Sequence, residues 1–130
     1  MAVGSDARQF HTQQVHFLRK SVSFADAGVA LTVGKLPAGA TILKPLSGVN
    51  VDVAFNAGST NVIDIGTTAN DDLYGTDLAL GSITFVPVDE AVAMTVSAET
   101  TITATVAMTG TAATAGNGEI VICYVPDTDG

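Results

Sequence analysis

The sequence predicts an all-β protein folded as a β-sandwich, with a jelly roll as the favoured topology. Three observations carry that expectation. Nineteen Ala, seventeen Thr and sixteen Val stand against three Lys and three Glu; Thr and Val suit a pleated, half-buried surface, whereas Lys and Glu are the usual formers of solvated helices. About eight short segments alternate apolar and polar residues between turn signals. No segment keeps a convincing helical period. At 130 residues, 47% of them hydrophobic, the chain is expected to be one domain with a core of its own. Cys123 is the single cysteine, so packing rather than an internal disulfide must hold the fold.

Residues 1–9, MAVGSDARQ, show no periodicity. FHTQQVHFLRK (10–20) alternates only loosely, and reads either as a short strand or as an extended segment ordered by a partner. Residues 1–20 are therefore expected to form an extended N-terminal arm, and residues 21–130 the β-sandwich domain. VALTV places Val29, Leu31 and Val33 on one face of a strand, and LPAGA (36–40) turns the chain through its Pro and Gly. VNVDVAF (49–55) alternates cleanly, with Val49, Val51, Val53 and Phe55 on one side. After the loop NAGST (56–60), NVIDI (61–65) is another short strand and residues 66–77 another loop. LGSITFVPV (80–88), VAMTV (92–96), TITATVAM (101–108) and EIVICYV (119–125) supply four more strands, the last behind the hairpin signal Asn117-Gly118. The Thr, Ala and Gly bias of residues 103–116 reads as a strand running into a loop.

The loop NDDLYGTD (70–77) is the main chemical candidate, because Asp71, Asp72 and Asp77 crowd it and Asp64 lies just upstream. An EF-hand frame with Gly75 sixth puts Tyr74 on a ligand position and Gly81 where the Glu belongs, so that frame fails. A solvated strand connection is the favoured reading, ahead of a cation site or a catalytic carboxylate pair. A sugar-cleaving pair would also call for aromatic platforms, and the chain has no Trp and only Tyr74 and Tyr124. His11 and His16 have no third ligand at metal spacing. Cys123 sits in an alternating strand as a small buried hydrophobe, with nothing nearby to activate it. Neither a nucleophile elbow nor a phosphate-binding glycine motif occurs. No cofactor, no bound metal and no enzymatic activity are expected.

Charge is unevenly placed. Residues 1–44 hold all five basic residues against Asp6 and Asp26, whereas residues 45–130 hold eleven acids and no base, within a formal net charge of −8. An acidic body repels nucleic acid, so no nucleic-acid partner is expected. No apolar run approaches the ~20 residues of a bilayer span, and the first twenty residues lack the apolar segment of a secretory signal. A soluble protein made in a cytoplasm, without a membrane partner, is the expectation.

LPAGA (36–40), AFNAGSTNVIDIGT (54–67) with the acidic pair at 71–72, and TGTAATAG…EIVICYV (109–125) occur in that order. Over residues 22–125 this pattern resembles small structural proteins of tailed bacteriophages encoded beside the major capsid protein, some of them capsid cement or decoration proteins. The resemblance implies a β-sandwich or jelly roll on the outer surface of the virion, made in the host cytoplasm. It further implies binding to the major capsid protein and to other copies of the chain as dimers or trimers. It leaves out the first twenty residues. Their basic and aromatic members Arg8, Phe10, His11, Phe17, Arg19 and Lys20 are then the candidate capsid-docking residues. The alternative places Phe10 and Phe17 in a first core strand. A receptor- or glycan-binding module of a head or tail fibre, acting through loop 66–77, is the alternative function.

Overall fold

A computed structural model describes residues 15–126. Among these residues nine strands follow one another: β1 (His16–Ser23), β2 (Ala30–Leu36), β3 (Thr41–Ile42), β4 (Gly48–Val53), β5 (Thr60–Thr67), β6 (Gly75–Ala79), β7 (Phe85–Pro87), β8 (Thr100–Thr109) and β9 (Asn117–Val125). Short 3-10 turns at Phe24–Asp26 and Lys44–Leu46 are the helical pieces among the described residues. One sheet runs β1-β9-β4-β7, with β3 also on β9; the other runs β2-β8-β5-β6. The strands pair antiparallel throughout.

The pairings are nested. β1 pairs with β9, β2 with β8, β4 with β7 and β5 with β6. A long hairpin whose tip is the β5–β6 loop thus curls on itself, and β9–β4 and β8–β5 contacts close the two sheets. This is a jelly roll, the topology the sequence favours. Alternation decides the faces, because residues directly opposite one another share a side of the sheet. From the first sheet Val49, Val51, Ile120 and Ile122 point inward. From the second, Ile63, Ile65, Leu78, Ile102, Ala104 and Val106 meet them.

The outer faces differ. On the first sheet Phe17, Arg19, Val121, Asn50, Phe85 and Pro87 face away from the core, by their pairing register. On the second, Thr32, Thr101, Thr103, Thr105, Val62 and Asp64 do so. A buried serine mends a gap in the first sheet. Between β3 and β4 the turn at Lys44–Leu46 leaves Cys123, paired with Phe17 on its other side, without a ladder partner on this one; the Cys123 amide donates to Ser47 Oγ at 2.9 Å, and the Leu43 amide donates to the Cys123 carbonyl at 2.8 Å. Ser47 Oγ donates onward to the Leu43 carbonyl at 2.9 Å, so every group is satisfied. The same turn covers Cys123, which is 4% exposed, and burial pushes its thiol pKa up.

Four expectations change. Residues 16–20, assigned to an arm, are strand β1 at the edge of the first sheet; Arg8, Phe10, His11 and the rest of 1–14 lie outside the described residues. The alternation is loose there because Lys20 occupies an inward register position, opposite Ile120, that an edge strand leaves open to water. VAMTV (92–96) forms no named strand: its backbone meets only residues 39–42, through the Ile42–Met94 and Ala40–Val96 bonds and a Thr41–Thr95 bridge. Within LGSITFVPV only Phe85–Pro87 pairs. Val53 leaves the face of Val49 and Val51, because a bulge at Asn117/Gly118 offsets β4 by one residue and turns its side chain to solvent.

Candidate functional site

The acidic loop forms the tip of the nested hairpin, and backbone contacts shape it. Gly66 faces outward on β5, and the loop lies directly across it: a Cβ there would stand 2.6 Å from both Asp71 C and Leu73 N. The Thr67 amide donates to the Asn70 carbonyl at 2.8 Å, and the Asn70 amide returns to Thr67 Oγ1 at 3.1 Å. The Tyr74 amide then donates to the Ile65 carbonyl at 2.9 Å, which brings the chain back into β6. The sequence folds this way because the residue facing the loop is Gly and the residue opening it is a Thr, whose hydroxyl closes the turn.

Asp77 follows with φ 52°, the one non-Gly residue of positive φ among those described. It belongs to a bulge in which Thr76 and Asp77 of β6 oppose Asp64 alone on β5. The freed Asp77 amide donates to Asp64 Oδ1 at 2.8 Å. Partial burial, opposed by this hydrogen bond and reinforced by the charges of Asp77, Asp71 and Asp72, raises the Asp64 pKa. A carboxyl with a raised folded-state pKa disfavours folding once it is ionised in both states, and that cost vanishes as pH falls through the folded pKa to the unfolded value. Asp64→Asn keeps the Oδ1 acceptor and removes the charge. It is expected to be more stable than the parent at pH 7, with the gain shrinking toward zero at about pH 3.5. Urea denaturation at the two pH values checks this, and a gain independent of pH contradicts it.

The carboxylates of the loop do not converge. Among the described residues no three His, Cys, Asp or Glu side chains come together in a metal-holding arrangement. What the loop builds instead is a wall. Between residues 67–74 and the segment 92–101 lies an open cleft of about 630 Å³, lined by Leu73, Tyr74, Val92, Val96, Ser97 and Glu99 among others. Tyr74 is only 3% exposed, and burial pushes its phenol pKa up. Its hydroxyl has no hydrogen-bond partner among the described residues. Sequence reading missed this cleft, because residues 75–91 separate its two walls and neither bears a motif. The only local signal is a Tyr placed just before a strand.

The candidate docking residues within the described chain lie together on β1. Phe17 is 60% exposed on the outer face, opposite Cys123, and so does not belong to the core. Arg19 is already engaged: its Nη2 and Nε donate to the two Glu119 oxygens at 2.6 and 3.0 Å. Lys20 is exposed at the sheet edge. His16 stacks on Tyr124 with ring centroids 5.6 Å apart. Leu46 (55% exposed) lies beside Cys123, whose thiol donates to its carbonyl at 3.4 Å, and Phe85 (38%) stands on β7 of the same sheet.

No family model matches the chain, and no curated protein does. Among solved structures it is similar to a chain of the "Cyanophage Pam1 capsid asymmetric unit", with a TM-score of 0.65 and 18% identity, over 96% of this chain and 97% of that one. At that identity the likeness is one of fold, and it extends end to end over both chains.

Proposed function

We propose that the protein is a structural component of a tailed-phage virion, a cement or decoration protein that binds the outer surface of the major capsid protein shell and strengthens it without chemistry. The carrying observation is the end-to-end likeness to a chain from a capsid asymmetric unit, in which the whole of each molecule is the shared domain. The resemblance of residues 22–125 to phage structural proteins supports the same reading. Strengthening a shell calls for a rigid body that bridges neighbouring subunits, and a sandwich closed by nested antiparallel pairs is rigid in that sense. Copies associate as dimers or trimers on local symmetry axes, where one interface geometry repeats.

The docking surface is the β1 edge of the first sheet, where Phe17 offers exposed aromatic surface on the outer face and Lys20, turned to the other side of the strand, an exposed cation. Aromatic anchors hold an interface, whereas rim charges set encounter rate and salt dependence. Phe17→Ala is expected to leave folding within about ±0.5 kcal/mol, since the side chain is largely in water, and to weaken capsid binding at every salt concentration. Lys20→Ala should weaken it mainly at low salt. Co-sedimentation with undecorated capsids, beside circular dichroism of the free protein, measures both. Failure of the parent protein to sediment with capsids sinks the proposal; unchanged binding of Phe17→Ala sinks the assignment of the face.

A further inference from the structure

We propose that the cleft between the β5–β6 loop and the segment leading into β8 binds a neutral, hydroxyl-rich ligand, a sugar residue of a glycan. The cleft's size, about 630 Å³, falls in the range of small-molecule sites, roughly 300–1,000 Å³. Tyr74 on its wall is buried, with a hydroxyl that has no partner among the described residues. Buried hydroxyls are nearly always paired, with protein or with water, and Tyr74 lines the cleft, so a ligand seated there is the candidate partner. A phenol both donates and accepts, as sugar hydroxyls do.

The rest of the lining narrows the class. No Lys, Arg or His lines the cleft, and Glu99 stands at its rim with Asp71 and Asp72 on the neighbouring loop. An anion such as a phosphate or a carboxylated ligand is repelled there. Metal ions find no converging ligands. Leu73, Val92 and Val96 offer an apolar surface for the C–H face of a sugar ring, while Thr68, Ser97 and Glu99 supply further donors and acceptors. The site lies on the β5–β6 loop and not on β1, so it goes beyond capsid attachment and does not depend on it.

The test is saturation-transfer NMR of the full chain with glucose, galactose and N-acetylglucosamine, and with inorganic phosphate as the charged control. Binding of at least one neutral sugar with a roughly millimolar Kd is expected, and none of phosphate. Tyr74→Phe removes only the hydroxyl and should weaken that binding about tenfold, with the melting temperature unchanged or raised. Ser97→Arg, at an exposed lining position, should block the cleft without touching the core and abolish sugar binding while capsid co-sedimentation persists. The inference is overturned if no neutral sugar binds at about 10 mM, or if Tyr74→Phe and Ser97→Arg both bind as the parent does. Loss of capsid binding with sugar binding intact counts against the capsid role alone.

Discussion

Ile122→Ala is expected to cost about 2–5 kcal/mol, the range for truncating a fully buried aliphatic side chain. Ile122 is 0% exposed on β9, the strand that lies between β1 on one side and β3 and β4 on the other. Two contributions add. The removed methyls lose their transfer free energy, and the cavity left behind cannot collapse, because three antiparallel neighbours fix the backbone around it. Against a typical stability of about 5–15 kcal/mol this is a large share, enough to leave a marginal domain partly unfolded at 37 °C. Urea titration followed by circular dichroism measures it. A loss under about 1 kcal/mol would mean that the interior there is loose enough to close over the gap.

Gly66→Ala should be nearly as damaging, for a different reason. Its Cβ would fall on the Asn70 carbonyl oxygen and 2.6 Å from Asp71 C and Leu73 N, all backbone atoms that no rotamer change can remove. The loop has to lift, breaking the Thr67–Asn70 and Tyr74–Ile65 bonds that tie it down. Overpacking of this kind costs about 1–3 kcal/mol or more. Gly81→Ala is the control, since nothing lies within 4 Å of a Cβ there, and it should be neutral. Chemical denaturation of the pair, with amide exchange at residues 67–74, separates a displaced loop from a general loss of stability. Equal stabilities for the two variants would show that the loop does not rest on β5.

Particular residues show why some of this architecture was readable beforehand and some was not. TITATVAM alternates and EIVICYV is apolar from Ile120 onward; both are legible because β8 and β9 are interior strands with neighbours on both sides, so each inward position must be apolar. Asn117-Gly118 reads as a hairpin turn but forms none: both residues pair inside β9, and β8 and β9 lie in different sheets. HFLRKSVS hides its strand, since an edge position lets Lys20 sit where an interior strand would need an aliphatic residue. VAMTV misleads in the opposite direction: its pattern is strand-like, yet its partner is the short 39–42 stretch, and pairing ends after a few bonds. The acidic loop drew attention through its charges, whereas its structural content lies in Gly66 and Thr67, and its cleft in the distant residues 92–101. A pocket built by two remote segments leaves no periodic trace.

The nesting of the strand pairs carries a consequence for how the chain is made. β1 and β4 are both completed by β9, the last strand of the described residues, and β2 waits for β8. The pair that can form early is β5 with β6, at the centre of the sequence. On a ribosome, then, the N-terminal half emerges with its strands unpartnered, and the domain cannot close until residues 117–125 are released. Topologies dominated by such distant pairings fold slowly, in milliseconds to seconds, and open strand edges invite neighbouring chains in the interval. The eleven acids after residue 44, unopposed by any base, bear on this interval as well: mutual repulsion keeps half-finished copies apart where many are synthesised at once.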